Sequence, residues 1–196
     1  MPTGPATAAG GRAGAREVVV RHARTSDIRA IRALVRPHAE SRVLVSKDAV
    51  TYYEAVQQFR VAEVAEAVGV EAVGVEAVGV DAPLLGCGAL HVMWEDLAEI
   101  RTLAVSPSAK GRGVGSQLLE VLMADARELG IRRLFCLTFE VDFFIRHGFE
   151  VIEGQAVEPE VYAELVRSYD EGVAEFLDLE RVKPNTLGNT RMLLTL

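Results

Sequence analysis

The chain is predicted to form one α+β domain, and three observations lead to this class. Its 196 residues are enough for a single hydrophobic core. Apolar stretches with strand-like and helix-like patterns both occur, in mixed order, over residues 17–196. The clearest local unit is a strand at 99–105, a turn at Ser106-Pro107, a glycine-rich loop and a helix at 117–129.

The first part of this domain is predicted to contain one strand and two helices. Residues 18–20 are consecutive valines, which favour a strand. Thr25-Ser26-Asp27 supplies a capping oxygen and an acidic first turn, so a helix is expected to begin there and to end before Pro37. A second helix is predicted from Ser46 to about Phe59, because apolar residues recur on one side of it.

The remaining elements follow from similar patterns. Further strands are expected at 60–64, 84–93, 134–138, 149–152 and 191–196, and a helix at about 158–169. Gly86 and Gly88 indicate that another part of the chain approaches the second of these strands closely. The stretch 172–182 fits a helix or a strand equally well, and Lys183-Pro184-Asn185 interrupts the chain after it.

Between two of these strands the string Glu-Ala-Val-Gly-Val occurs three times, over residues 66–80. A period of five matches neither a helix nor a strand and is far shorter than solenoid repeats. We interpret it as a repeat expansion that lengthens a hairpin loop at about 65–83, which chain entropy tolerates well. Its apolar character leaves contact with a partner as the alternative. Deletion of 66–80 is expected to change activity and stability little.

Composition and charge argue against several classes of protein. A net charge of −7 and a pI near 5.2 do not suit a broad nucleic-acid interface. Cys87 and Cys136 lack metal-ligand spacing and lie in apolar stretches, so they are expected to be buried thiols in a reducing compartment. No apolar run could span a bilayer, and residues 1–16 lack the apolar region of a signal peptide. We expect a cytoplasmic protein with a disordered tail at 1–16.

The loop at 110–116 (Lys-Gly-Arg-Gly-Val-Gly-Ser) carries the strongest functional indication. Its glycines let backbone N–H groups approach an anion, and the dipole of the following helix favours negative charge at the same point. It is not a dinucleotide loop, because Ser116 occupies the third glycine position, and no Walker A sequence is present. The loop is therefore expected to bind a phosphorylated ligand.

The spacing of Lys110, Gly113 and Gly115 resembles the pyrophosphate-binding loop of the GNAT acyl-CoA N-acyltransferases, and residues 143–149 resemble a second segment of that family. The resemblance implies a central mixed, mostly antiparallel twisted sheet flanked by helices on both faces, with acetyl-CoA as co-substrate. Phe144 stands where many members have a tyrosine that protonates the CoA thiolate. The co-substrate residues that the resemblance implies are Leu103, Ala104, Val105, Lys110, Gly111, Arg112, Gly113, Val114, Gly115, Ser116 and Phe144.

Other strings resemble the short N-acetylglutamate synthases of arginine biosynthesis, which lack an amino-acid-kinase domain. These strings lie at 24–27, 86–91, 99–102, 137–140, 146–149 and 183–192. The likeness extends over about 18–64 and 84–196. It implies direct transfer of the acetyl group from acetyl-CoA to the α-amino group of L-glutamate. We also expect a homodimer.

An amino-acid acceptor makes a general base useful, because α-amino groups are mostly protonated near neutral pH. Glu99 lies on the strand where GNAT enzymes often place a glutamate base, and strand alternation puts Arg101 on the same face. Arg101 could hold a substrate carboxylate with two parallel hydrogen bonds. The substrate-binding candidates are Lys47, Arg101, Thr138, Asn189, Thr190 and Arg191. His91 and His147 are expected to pack or hydrogen-bond locally.

Two other functions remain open on the sequence. The acceptor could be another amine, such as L-glutamine, a polyamine or a protein N-terminus; the acidity of the chain suits a cationic acceptor, whereas Arg101 beside Glu99 favours an anionic one. The chain could also be a non-catalytic sensor of acetyl-CoA. Phe144 in place of tyrosine favours that reading, and Glu99 argues against it. The expected partner is a small-molecule substrate, L-glutamate or L-glutamine, without nucleic acid, membrane or metal.

Overall fold

A sheet of seven strands forms the centre of the computed structural model, which describes residues 17–40, 48–65, 83–180 and 188–196. In chain order the strands are β1 (Val18–His22), β2 (Phe59–Val64), β3 (Gly86–Trp94), β4 (Leu97–Val105), β5 (Arg133–Thr138), β6 (Glu150–Val151) and β7 (Thr190–Thr195). Across the sheet the order is β1-β2-β3-β4-β5-β7-β6. Neighbours are antiparallel except β4 and β5, which are parallel. Each predicted strand is confirmed, with ends shifted by a few residues.

Helices cover both faces of this sheet, as expected. Those in the described part of the chain are α1 (Ile28–Glu40), α2 (Ala49–Glu54), α3 (Val114–Glu128), α4 (Val141–Ile145), α5 (Pro159–Leu165) and α6 (Glu171–Phe176). α3 packs on one face, through Leu118 and Leu122. α1 packs on the other face with Ile31, and α6 packs there with Phe176. None of these helices is both long and apolar enough to cross a membrane.

The predicted end of the first helix was wrong, because α1 continues through Pro37 to Glu40. A proline this close to the end of a helix removes one backbone hydrogen bond and leaves the preceding turns intact. Those turns are held by a buried apolar face, in which Ile28, Ile31 and Val35 are at most 2% exposed. Packing of this face therefore outweighs the local signal of the proline.

The other helix predictions needed correction in length. The helix expected at 46–59 is much shorter: α2 ends at Glu54, a 3₁₀ turn covers Val56–Gln58, and Phe59 already belongs to β2. α5 ends at Leu165 instead of about 169. In the ambiguous stretch at 172–182, α6 is a helix up to Phe176. The repeat at 66–80, the segment 183–185 and the tail at 1–16 lie outside the described residues.

Close packing at Gly86 and Gly88 is confirmed. A β-carbon on Gly86 would lie 2.8 Å from Cδ1 of Leu118, and one on Gly88 would lie 2.9 Å from Cδ1 of Leu122. The backbone of β3 thus lies directly against α3, with no room for a side chain between them. Cys87 alternates to the opposite face and is buried, and this burial raises the pKa of its thiol to about 12.

Two features of β4 open the sheet beside the glycine-rich loop. A β-bulge shifts the β3–β4 register between Cys87 and Ala89, and Thr102 on β4 has a positive φ of 56° there. β4 pairs with β5 only from Leu97 to Glu99. Beyond Glu99, in the part of the chain that is described, β4 has β3 as its strand neighbour and its other edge is open. This separation lies between Glu99 and the start of α3.

Candidate active site

The predicted phosphate loop leads directly into the N-terminus of α3. Gly111 and Gly113 have positive φ angles of 75° and 79°, which side-chain-bearing residues rarely adopt. Gly113 is the N-cap of α3, a helix of 15 residues. The first N–H groups of such a helix have no partner within it. Residues 110–113 are exposed, so an anion can reach these groups from solvent.

His147 connects α4 to this loop through two hydrogen bonds. Its Nδ1 lies 2.8 Å from the carbonyl oxygen of Phe143, which can only accept, so Nδ1 is the donor. Its Nε2 lies 3.1 Å from Oγ of Ser116. The ring of Phe143 also lies against the loop, because a β-carbon on Gly115 would be 3.5 Å from it. His147 therefore hydrogen-bonds locally, as predicted.

Phe144 lies in the hydrophobic core. It is 5% exposed, and its ring centroid lies 5.1 Å from that of Phe143 and 5.0 Å from that of Phe149. This packing explains the choice of phenylalanine, because a buried hydroxyl would need a hydrogen-bond partner. Contact between Phe144 and the co-substrate stays a prediction.

Leu103, Ala104 and Val105 form the open edge of β4. The side chains of Leu103 and Val105 pack with residues of α3, and Ala104 is buried on the opposite face. Their side chains thus belong to the core, while their backbone has strand β3 on one side. N–H and C=O groups on the open side can pair with an extended ligand, as with an added strand.

The predicted base and its neighbour lie side by side, as strand alternation predicted. Nε of Arg101 donates to Oε2 of Glu99 over 2.9 Å, and Nη2 of Arg101 contacts the same oxygen. The two side chains are only 9% and 13% exposed for Glu99 and Arg101, respectively. Burial acts to lower the pKa of Arg101, but the charge of Glu99 and the contacts with Asp170 raise it overall. Arg101 is thus a permanent cation beside Glu99.

Asp170, which the sequence did not indicate, occupies the other side of the same guanidinium. Its Oδ2 and Oδ1 accept from Nη1 and Nη2 of Arg101 over 3.1 and 3.0 Å. Burial opposes its ionisation, but the hydrogen bonds and charge of Arg101 outweigh this and lower the pKa of Asp170 to about 2. Arg101 would have to exchange one of these partners to bind a substrate carboxylate.

His91 lies next to this cluster, opposite Glu99 on the adjacent strand β3. Its Nε2 is 3.7 Å from Oδ2 of Asp170, and its Nδ1 is 3.3 Å from Oε1 of Gln58. An open cavity of about 180 Å³ borders the cluster and is lined by α2, the turn after it, and the side chains of His91, Arg101 and Asp170. Solvent and small molecules can therefore reach Arg101 from this side.

Arg191 of β7 lies on the same face of the sheet as Glu99. Glu99 is the register partner of Phe135 on β5, and Arg191 is the partner of Leu137, two residues further along the same strand. Register partners and residues two apart share a face. The sheet therefore presents Glu99 and the guanidinium of Arg191 to the same region, under α6.

Among the described residues, the guanidinium of Arg191 is hydrogen-bonded through Nη2 alone. Nη2 donates to the carbonyl oxygens of Gly154, over 3.0 Å, and of Phe176. Nη1 is 3.9 Å from the carboxylate of Asp178. Nε is buried without a hydrogen-bond partner among the described residues, and so is the side-chain oxygen of Asn189. Burial also lowers the pKa of Arg191. A buried cation with an unused donor favours binding of an anion.

The two threonines predicted to bind substrate lie elsewhere on these strands. Thr190 is the register partner of Thr138, so the two share the face opposite to that of Arg191. Oγ1 of Thr138 accepts from the backbone N–H of Glu140 over 2.9 Å. This bond orders the turn after β5. Lys47 lies outside the described residues.

Glu175 of α6 links the two charged regions. Burial raises its pKa to about 7, the carboxylates of Glu171, Glu99 and Asp178 add to the rise, and Arg191 opposes it. The Glu175 carboxyl is therefore close enough to Glu99 and to Arg191 to respond to both charges. Within the described ranges, no group of three or more His, Cys, Asp or Glu could hold a metal ion.

Sequence reasoning thus missed Asp170 and Glu175. Asp170 followed by the acidic Glu171 is a typical helix start. This signal could have favoured a helix over a strand for the stretch that begins at residue 172. Nothing in the local sequence relates Asp170 to Arg101, however, because the two are 69 residues apart.

A family model for the acetyltransferase (GNAT) family matches residues 45–149, and the chain belongs to this family. Acetyl-CoA is its co-substrate. The amino-acid acetyltransferase of Mycobacterium tuberculosis is 53% identical over 178 residues, which are 91% of this chain and 94% of that protein. The amino-acid acetyltransferase of Neisseria meningitidis serogroup A is 33% identical over 135 residues, 68% of this chain and 27% of that protein. The chain thus groups with the amino-acid acetyltransferases and spans about a quarter of the Neisseria relative.

Solved structures agree with this fold. A Mycobacterium tuberculosis protein in complex with CoA and NLQ superposes with a TM-score of 0.79 at 53% identity, over 91% of this chain and 99% of that chain. N-acetylglutamate synthase from Neisseria gonorrhoeae, complexed with coenzyme A and N-acetyl-glutamate, gives a TM-score of 0.67 at 24% identity, over 93% of this chain and 36% of that chain. The second match supports the fold alone.

Proposed function

We propose that the protein transfers the acetyl group of acetyl-CoA to the α-amino group of L-glutamate, as an N-acetylglutamate synthase of arginine biosynthesis. The observation that carries the acceptor is the unused donor of Arg191, which is buried on the face of the sheet that bears Glu99. A carboxylate of the acceptor would supply the missing partner and offset the cost of burying the cation. Asn189 would offer its amide to the same ligand.

Acetyl-CoA binds, in this proposal, along the loop and the open edge of β4. The backbone N–H groups of 111–116 receive the pyrophosphate at the N-terminus of α3, and Lys110 and Arg112 add positive charge. The pantetheine arm pairs with the backbone of 103–105. This path leads from the loop towards Glu99, where β4 and β5 separate. The thioester would thus arrive beside Glu99, which among the described residues is the strand glutamate buried on this face.

Glu99 is proposed as the general base, acting directly or through water. The amine nitrogen of glutamate attacks the thioester carbonyl, a C–N bond forms, and the C–S bond then breaks. Glu99 or its water takes one proton from the α-ammonium group before the attack, and the second proton that the nitrogen loses as the amide forms goes to solvent. CoA leaves as the thiol after taking a proton from water, because Phe144 offers none. Arg101 orients Glu99 through the contacts to Oε2.

The location and assembly are part of the same proposal. Buried free thiols at Cys87 and Cys136 support a reducing, cytoplasmic compartment. A homodimer stays a prediction, and sedimentation equilibrium of the full chain would test it.

The acceptor is tested by thiol release from acetyl-CoA with a panel of amines. The panel contains L-glutamate, L-glutamine, L-aspartate, ornithine, lysine, spermidine and a peptide with a free N-terminus. We expect the highest kcat/KM for glutamate and the next highest for glutamine. Faster acetylation of lysine, spermidine or the peptide would contradict the glutamate proposal and leave the acetyltransferase activity standing. Binding of acetyl-CoA in calorimetry without thiol release from any amine would support the sensor reading instead.

A further inference from the structure

We infer that Asp170 is a positioning residue of this enzyme: it holds Arg101 and, through Arg101, fixes the carboxylate of Glu99 at the point where β4 and β5 separate. The inference rests on the proposed role of Glu99 as the base. Asp170 belongs to no sequence motif that indicates the family, and it lies on the far side of Arg101 from Glu99.

The first support is the geometry of the guanidinium. Arg101 offers Nη1 and Nη2 to the two oxygens of Asp170, and Nε and Nη2 to a single oxygen of Glu99. A planar fork that is bonded along two of its edges has little freedom to rotate. Asp170 therefore determines where the edge that faces Glu99 lies.

The second support is the anchoring of Asp170 itself. Its Oδ1 accepts from the backbone N–H of Val173 over 3.1 Å, which makes it the N-cap of α6. Its own N–H donates to Oγ of Ser168 over 3.1 Å. Val173 is 3% exposed and packs in the core below α6. The N–H of Val173 thus holds the carboxylate of Asp170, and the Ser168 hydroxyl holds the backbone of Asp170, so this carboxylate has a defined position from which to orient Arg101.

The third support is the contact of Gly172 with the pair on β4. A β-carbon on Gly172 would overlap Oε2 of Glu99 and would lie 2.8 Å from Nη2 of Arg101. The backbone of α6 therefore closes over the carboxylate–guanidinium pair, immediately after Asp170. Contacts from both Asp170 and Gly172 hold this helix start against Glu99, and a shift of the turn would move the base.

The test compares Asp170→Asn with a matched control, Asp96→Asn. Asparagine has the size of aspartate and still caps the helix. It lacks the second carboxylate oxygen and the negative charge, so it cannot accept both hydrogen bonds from the guanidinium of Arg101. Asp96 forms an equivalent pair with Arg133, over 3.0 and 2.9 Å, in the turn between β3 and β4. Asp170→Ser is the second variant, because serine also caps a helix.

We expect Asp170→Asn and Asp170→Ser to lower kcat about ten- to hundredfold, the scale of effect of a misplaced catalytic group. The KM for acetyl-CoA should stay within about twofold. The acidic limb of the pH dependence of kcat/KM should move to lower pH, because the charge of Arg101 then acts on Glu99 without the second carboxylate. The other ionisable groups near Glu99 (His91, Cys136, Glu175 and Arg191) are unchanged in these variants.

Asp96→Asn should lower Tm by a similar amount and leave kcat and the pH profile as in the wild type. Equal kcat for the Asp96 and Asp170 variants, or an unmoved acidic limb, would overturn the inference. All rates are measured with the best amine of the panel, so a wrong acceptor does not affect the result. Glu99→Gln is measured in parallel: a slow Glu99 variant with fast Asp170 variants overturns this inference alone, whereas a fast Glu99 variant overturns the proposed base.

Discussion

The loop proposed to bind the co-substrate and the cluster proposed to bind the acceptor are built in opposite ways. The loop is one stretch of seven residues, 110–116, largely exposed, and it acts through backbone N–H groups and two positive φ angles. The acceptor cluster (Glu99, Arg101, Asp170 and Arg191) consists of partly or fully buried side chains from three distant parts of the chain. In this proposal, local backbone geometry holds the ligand that the whole family shares, whereas side chains that only the folded sheet brings together select the acceptor.

This contrast implies that the two regions can be perturbed separately. A change in the loop should weaken binding of acetyl-CoA and leave the pH dependence of the reaction alone. A change in the acceptor cluster should alter kcat or the acceptor preference and leave the affinity for acetyl-CoA alone.

Glu99→Gln should have the largest effect on the acceptor side. Glutamine keeps the size of the side chain but removes its basicity, so kcat should fall about 10²–10⁴-fold near neutral pH. The rate should recover as the pH rises towards the pKa of the amine, which then loses its proton unaided. Thiol release between pH 6 and 10, with the Kd for acetyl-CoA from calorimetry, measures both properties. A profile parallel to that of the wild type would assign the base to water or another residue.

Arg191→Gln should have the next largest effect. Loss of a charge-assisted hydrogen bond to a carboxylate costs about 1.5–3 kcal/mol, so kcat/KM for glutamate should fall roughly ten- to hundredfold. The Kd for acetyl-CoA should stay within about twofold of the wild-type value. If Arg191 holds the side-chain carboxylate, kcat/KM should fall more for glutamate than for glutamine.

Arg133→Gln is the matched control for this variant. Arg133 is also a strand arginine and donates to the carbonyl oxygen of Ala156, as Arg191 does to that of Gly154. The Arg133→Gln variant should therefore have a lower Tm and an unchanged kcat/KM. Equal losses of kcat/KM in both variants would show that Arg191 acts through the stability of the 154–156 segment and not by binding the acceptor.

Gly113→Ala tests the loop side, with Gly130→Ala as its control. The two glycines lie at opposite ends of α3, have φ angles of 79° and 80°, and have open space where a β-carbon would be. Alanine should therefore cost both sites a similar free energy of unfolding, about 1 kcal/mol. Only Gly113→Ala should raise the Kd for acetyl-CoA, by about tenfold or 1.4 kcal/mol. Equal affinities in the two variants would contradict the loop assignment.

The sequence was most informative where local patterns decide the structure. The strands, the loop before α3 and the shared face of Glu99 and Arg101 follow from period-two alternation and glycine spacing, and the structure agrees. Pro37 was misleading because the packing of α1 compensates for one lost hydrogen bond. The bulge at Thr102 could not be predicted, since a β-branched residue rarely has a positive φ.

Only part of the acceptor cluster could be predicted, because only part of it follows from local patterns. Glu99 and Arg101 are two residues apart, so a strand model relates them, and Arg191 was a candidate through the family resemblance. Asp170 depends on how α6 returns to β4, which is a property of the tertiary packing. Its only local signal is that of a helix start, an acidic residue followed by Glu171 and Gly172.

Replacement of Glu175 should have the smallest effect of these changes, and it tests the electrostatics of the buried cluster. Its folded-state pKa is raised from 4.5 to about 7, mainly by burial, so the folded protein binds the extra proton between these values. Its contribution to stability is therefore complete below pH 4.5 and is lost as the pH rises through about 7. Glu175→Gln should accordingly raise Tm at pH 8 relative to the wild type and change it little at pH 4.5. Because solvent screens this partly exposed group, the gain in the free energy of unfolding at pH 8 should be about 1 kcal/mol, which raises Tm by about 2–4 °C in a chain of this size. Scanning calorimetry at both pH values measures this difference in Tm. An equal change in Tm at the two pH values would show that Glu175 does not take up a proton in the folded protein between pH 4.5 and about 7.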